Sequence, residues 1–121
     1  MSYLHAKFIE IPSYNEGENG QFILEERMVY YSLILDNIVI PAGFVTDFAS
    51  IPRIFRAIHP VNGRHRKAAV VHDYLCRSIE VKRKDADNVF LEAMKVCGVK
   101  GWRSRQMFLA VRIGGWMGGK K

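Results

Sequence analysis

In the run AAVVHDYLC, residues 68–76, an imidazole and a carboxylate stand side by side, His72 and Asp73, among apolar neighbours. Two ionisable groups in such a run are costly to bury unless they are paired or bind a cation. Sequence neighbours on a helix point about 100° apart, so these two cannot satisfy one another and each needs its own partner. For His72 the spacing offers Asp87, three residues before Phe90 and seven before Met94 on the next apolar stripe. The short link IEVKRK makes the two helices antiparallel neighbours. A carboxylate on one imidazole nitrogen leaves the other as a base for water, which is the base-and-orienter half of a triad. Asp73 is then available to a divalent cation, with oxygen ligands from a neighbouring loop.

A second group of reactive side chains lies upstream. GFVTDFASIPR, residues 43–53, gathers Thr46, Asp47, Ser50 and Arg53 where strand-like sequence gives way to helix-like sequence. Such junctions commonly carry function on a rigid scaffold. Asp47 is either a second cation ligand beside Asp73 or the holder of a turn through an Asx bond. Ser50 is either a nucleophile with His72 as its base or a helix cap, and no Gly-x-Ser-x-Gly elbow surrounds it. The His72–Asp87 pair also has a purely structural reading, a polar link between helices, with Asp73 paired to Arg53, Arg77 or Arg83. A zinc or iron site from His65, His72, Asp73 and Asp47 is a further arrangement. His5, His59 and His65 show no metal-site spacing with either cysteine.

HDYLC followed by RKDADNVF resembles the secreted phospholipase A2 arrangement, especially in its small bacterial and fungal members. The resemblance implies that His72 activates water, Asp73 ligates calcium and Asp87 orients His72. Ala68, Ala69 and Tyr74 stand where cysteines flank that family's motif, and no Gly-rich calcium loop is recognisable. IPAGFVTDFASIPRIF, AAVVHDYLC and RKDADNVFLEAM together resemble a family of small phage and prophage proteins catalogued only as a domain of unknown function, across roughly residues 40–95. That resemblance implies a phage or prophage origin and a bacterial host.

These groups must be positioned by two kinds of element. Residues 1–50 read mainly as strands. HAKFIEI alternates and stops at Pro12, SYNEGENGQ is a loop, and FILEERMVYYSLIL is a strand. Asp36-Asn37 then marks a hairpin turn before IVIPAGFV, whose Pro41 and Gly43 suggest an edge or bulge. Residues 51–121 read mainly as helices. A short one opens at Ser50 or Ile51 with Pro52 and ends near HPVNG. Longer ones cover about 64–78, 84–96 and 102–113 by their 3.6-residue period. The last is expected to turn Trp102, Gln106, Leu109, Ala110 and Ile113 inward, with Arg103 and Arg105 solvated or meeting phosphates or membrane headgroups. The tail GGWMGGKK is expected to be frayed or docked by Trp116. The fold class is therefore α+β, a small antiparallel sheet followed by three to four helices in one domain spanning 1–121.

Composition bounds what such a domain can do. The 121 residues are 49% hydrophobic and 25% charged, an ordinary globular balance that folds without metal or disulfide. Cys76 and Cys97 read as free thiols of a reducing cytoplasm, or as one bridge. The start MSYLHAKFIE lacks a signal peptide's pattern, and no window approaches a membrane span. The expected location is thus the bacterial host cytoplasm or the virion. Residues 1–50 carry two basic and seven acidic residues, a net −5, and residues 51–121 carry sixteen and five, a net +11. The basic half suits an anionic membrane surface, other phage proteins or nucleic acid, or is a solvated face docked on the acidic half. Two functions follow as expectations. One is a small phage-encoded hydrolase with a His72–Asp87 dyad, assisted by calcium or another divalent cation on Asp73 and Asp47, acting on a phospholipid or other envelope ester. The other is a non-catalytic virion or tail component or host-interaction protein.

Overall fold

The computed structural model describes residues 5–16, 22–46, 66–78 and 80–117. In the first half the described residues form β1 (Lys7–Glu10), β2 (Tyr14–Glu16), β3 (Phe22–Leu24), β4 (Met28–Ser32), β5 (Asp36–Ile40) and β6 (Val45–Thr46). In the second half they form α1 (Arg66–Arg77), α2 (Arg83–Val96) and α3 (Gly101–Met117). The strands make two three-stranded antiparallel sheets, ordered β1-β4-β5 and β2-β3-β6. The molecule is α+β with sheet before helices, as its sequence pattern implies. The short helix expected after Ser50 lies outside the described residues.

The sheets differ from expectation in detail. Residues 22–35 do not form one strand. The consecutive exposed charges Glu25, Glu26 and Arg27 cannot alternate in and out of a core, so the chain breaks there and changes sheet between buried Leu24 and buried Met28. Part of the expected loop becomes β2, which covers the edge of β3 with Tyr14 opposite Leu24 and Glu16 opposite Phe22. The β4–β5 turn falls on residues 33–35, one step before the Asp36-Asn37 signal. Ser32 Oγ accepts the amides of Ile34 and Leu35 at 3.0 and 3.2 Å. Asp36 then closes the turn in the left-handed region, φ 65°, which Asp tolerates better than most residues. The break expected from Pro41 and Gly43 is a turn that carries the chain from the first sheet to the second. Gly43 adopts φ 86°, and its amide donates to Leu24 O at 2.7 Å.

The helices cover the sheets. In α1 seven of eight residues from Ala68 to Leu75 are buried, Tyr74 being the exception, so this helix is enclosed on nearly every side rather than along one stripe. Its basic residues rest on aromatic rings of the first half: Arg66 on Phe22 at 4.7 Å, Lys67 on Phe8 at 5.2 Å and Arg77 on Phe44 at 4.9 Å. The inward stripe of α2 is Ala86, Val89, Phe90, Ala93 and Met94, which includes the expected Phe90 and Met94. Gly98 ends the helix at φ 80°, with its amide on Lys95 O and that of Val99 on Met94 O, a Schellman motif. Tyr30 Oη donates to Glu92 at 2.8 Å and so ties the first sheet to α2.

α3 is rotated from the expected orientation. Its buried positions are Ser104, Met107, Ala110 and Val111, while Trp102, Leu109 and Ile113 face solvent. Ala110 alone of the expected inward set is buried. The helix also continues to Met117 rather than fraying at Gly114, and the Trp116 side chain lies outside the described residues. No described helix is long and apolar enough to cross a membrane. Cys76 and Cys97 are free thiols.

Candidate functional site

The enclosure of α1 explains why both polar residues of the His-Asp pair are inside. They point in different directions from a helix buried all round, and each finds its partner on a different element. His72 turns to α2, where its Nε2 lies 2.6 Å from Asp87 Oδ1, and neither side chain has any exposed surface. The contact expected between these two residues is present. Asp73 turns to the second sheet, where Thr46 Oγ1 donates to its Oδ2 at 2.6 Å.

Asp87 is the hub. Arg83, one turn earlier on α2, donates through Nε to Oδ1 at 2.9 Å, and Arg112 of α3 donates through Nη1 to Oδ2 at 3.0 Å. Arg83 also donates through Nη2 to Val111 O at 3.0 Å. One carboxylate thereby joins all three helices. Burial by itself would push the Asp87 carboxyl up, but the bonds from His72 and Arg83 outweigh it and hold it below its usual range. For His72 burial wins, and the imidazole pKa falls below its ordinary value despite the adjacent carboxylate. The ring is therefore neutral at pH 7. With an ionised carboxylate on Nε2, its proton is assigned to Nε2 and its lone pair to Nδ1. Phe90 stacks beside the ring at 4.8 Å between centroids.

Around Asp73, Arg77 bridges helix and sheet. It donates to Asp73 Oδ2 at 2.9 Å and to Val45 O at 2.8 Å. Of the candidate partners for Asp73, Arg77 is engaged and Arg83 serves Asp87 instead, while Arg53 lies outside the described residues. Thr46 and Val45 open the segment that continues through Asp47, Ser50 and Arg53, so the two stretches of chemistry-bearing sequence meet here. Asp47, Ser50, Arg53 and His65 themselves lie outside the described residues.

Cys76 was missed by sequence reasoning. Its Sγ is 3.4 Å from His72 Nε2 and 3.9 Å from Nδ1. The signal was available, because residues four apart share a helix face. Ligand atoms of His72, Cys76 and Asp87 all lie within 4.8 Å of one another. Imidazole, thiolate and carboxylate suit a zinc-like ion better than calcium. Both Asp87 oxygens already accept from guanidinium groups, however, and those positive charges oppose a cation at this point. Asp73 carries one guanidinium, Arg77 on Oδ2, where Asp87 carries two, and among the described residues its Oδ1 is not engaged, so a hard cation is opposed less there.

Residues 22–111, which carry this network apart from Arg112, match the family described as "Protein of unknown function (DUF1353)". "Uncharacterized protein y4jT" of Sinorhizobium fredii (strain NBRC 101917 / NGR234) is 32% identical over 110 residues, covering 82% of this chain and 33% of its own length. The chain thus spans about a third of that relative. No solved structure matches it. The chain belongs to the DUF1353 family.

Proposed function

We propose that the protein is a small hydrolase of phage or prophage origin in which His72 activates water and Asp87 orients it. The observation that carries this reading is the 2.6 Å contact from His72 Nε2 to Asp87 Oδ1. With the proton assigned to Nε2, the neutral imidazole keeps its lone pair on Nδ1, the state a general base needs near neutral pH. Because the ring is sealed in this structure, the reading requires its surroundings to open before water and ester can reach it. Arg83 and Arg112 keep Asp87 ionised, so that the assignment holds. Calcium or another divalent cation, held by the Asp73 oxygen that is unengaged among the described residues together with Asp47, would supply charge stabilisation for a developing oxyanion. The substrate is a phospholipid or another ester of the bacterial envelope. The phospholipase-like order of His72, Asp73 and Asp87 supports this choice, as does a basic half suited to an anionic membrane surface.

A second reading is favoured by the complete burial of His72 and Asp87. There the network only locks three helices, and the protein is a non-catalytic virion or tail component, or a host-interaction factor, with other phage proteins as partners.

Hydrolysis by His72→Gln and wild type separates the two. Both are given phospholipid vesicles and a water-soluble short-chain ester, with calcium, and folding is checked by circular dichroism. Loss of turnover by 100-fold or more in the variant, at preserved fold, supports the hydrolase, since general-base groups contribute about 10²–10⁴-fold. A wild type that hydrolyses neither substrate, or a variant as fast as wild type, removes it.

A further inference from the structure

The outward face of α3 is apolar where the pattern of the sequence put it inside. Trp102 is 56% exposed, Leu109 57% and Ile113 56%. At 100° per residue these three fall within about 40° of one another around the helix. They form one stripe along the outer surface, not scattered exposed residues. Three large exposed apolar side chains aligned on one helix mark an interaction surface.

The charge around the stripe says what it meets. Arg103 and Arg105 flank it and are exposed, with the Arg103 guanidinium 5.3 Å from the Trp102 ring centroid. Lys100 precedes the helix and is exposed as well. No acidic residue follows Glu92, while the last 29 residues hold seven Lys and Arg. A helix with Trp and aliphatic residues on one face and arginines at its margins has the make-up of one that lies in a membrane interface, the apolar stripe among the acyl chains and the cations on the headgroups. A second copy of this chain fits less well, because its own arginines would flank the same stripe. A coiled coil fits less well too, because the stripe covers fewer than two full heptads.

We propose that α3 docks the protein on an anionic lipid surface through Trp102, Leu109 and Ile113, with Arg103 and Arg105 on the headgroups. Docking would serve the hydrolase proposed above, and its purpose rests on that reading. The lipid-facing helix is also the one whose Arg112 holds Asp87, so the surface and the dyad belong to one body.

The test is co-sedimentation of the full chain with vesicles of phosphatidylcholine alone or with 30% phosphatidylglycerol, as a probe lipid. Wild type is expected to bind the anionic vesicles at least 10-fold more tightly, with a blue shift of Trp emission. Leu109→Gln/Ile113→Gln and Arg103→Glu/Arg105→Glu are each expected to lose at least 10-fold. Neither is expected to change hydrolysis of a water-soluble ester, and His72→Gln is expected to bind vesicles as wild type does. Equal binding to both vesicle types, binding unaffected by the stripe variants, or a stripe-dependent dimer in sedimentation equilibrium without lipid would overturn the proposal. Vesicle binding without ester hydrolysis would leave docking standing and remove the hydrolase.

Discussion

His72 Nε2 and Asp87 Oδ1 lie 2.6 Å apart between α1 and α2, with both side chains sealed from solvent. The same Oδ1 accepts from Arg83, and Oδ2 from Arg112 on a third helix. Removing the carboxylate therefore strands two guanidinium groups and an imidazole. Breaking a buried pair from one side typically costs about 3–5 kcal/mol, and the partial exposure of Arg112 places this case near the low end. Asp87→Ala is expected to lower unfolding free energy in urea by about 3 kcal/mol. Asp87→Asn, which still accepts through one oxygen, is expected to lose less. A loss under about 1 kcal/mol for Asp87→Ala would show that the three helices do not depend on this hub.

Acid should act on the same pair in two steps of one sign. The folded state depresses the His72 pKa below 6.5, so the unfolded chain binds that proton more readily. Stability is then fully present above pH 6.5 and falls as pH drops from there toward the lowered value, by at most about 1.4 kcal/mol per pH unit. Asp87 is depressed as well, so its contribution is lost only at lower pH, below the ordinary carboxylate value of 3.8. Urea midpoints measured from pH 7.5 to 5.0 are expected to fall for wild type and to flatten for His72→Phe. Equal slopes would mean that His72 is not the group being titrated.

The pair was legible in the sequence because helix geometry excludes a bond within His72–Asp73 and spacing on the next helix presents Asp87. The helices themselves were legible from their period. The helix face was legible only where the apolar count was unambiguous. In α3, period alone allows two apolar stripes, one with Met107, Ala110 and Val111 and one with Trp102, Leu109 and Ile113. Packing on α2 chose the slimmer one and left the tryptophan outside. Arg112 was illegible as a partner of Asp87 because a long arginine side chain reaches across elements that sequence cannot align, whereas Arg83, four residues before Asp87 on the same helix, was within reach of the i,i+4 rule. The division of residues 14–46 into two sheets was hidden for a similar reason: strand pairing is decided between distant segments.

Thr46 ties the second sheet to α1 through its 2.6 Å bond to Asp73. Thr46→Val keeps the shape and removes the donor, while Arg77 remains on the same oxygen. The expected cost is about 1–2 kcal/mol, that of a buried acceptor left partly satisfied. Thr46→Ser, which retains the hydroxyl, is expected to recover most of it. Urea denaturation of the three proteins at pH 7.5 measures this. If Val and Ser variants are equally stable, the hydroxyl bond contributes nothing to the junction.

Calcium offers the sharpest separation between the two negatively charged sites. Asp87 has both oxygens claimed by arginines, whereas Asp73 has one oxygen unengaged among the described residues. A hard cation should therefore choose Asp73, and zinc should gain little at the His72–Cys76–Asp87 cluster while Arg83 and Arg112 are in place. Binding to the folded state alone stabilises by about 2.7 kcal/mol at a hundredfold excess over Kd, a rise in Tm of roughly 10 °C for a domain of this size. Wild type with calcium is expected to show such a rise, and Asp73→Asn to abolish it while Asp87→Asn retains it. Absence of any calcium shift in wild type removes the cation from the proposed reaction. A zinc shift lost in Cys76→Ser would instead place the metal at the cluster and require Asp87 to release its arginines.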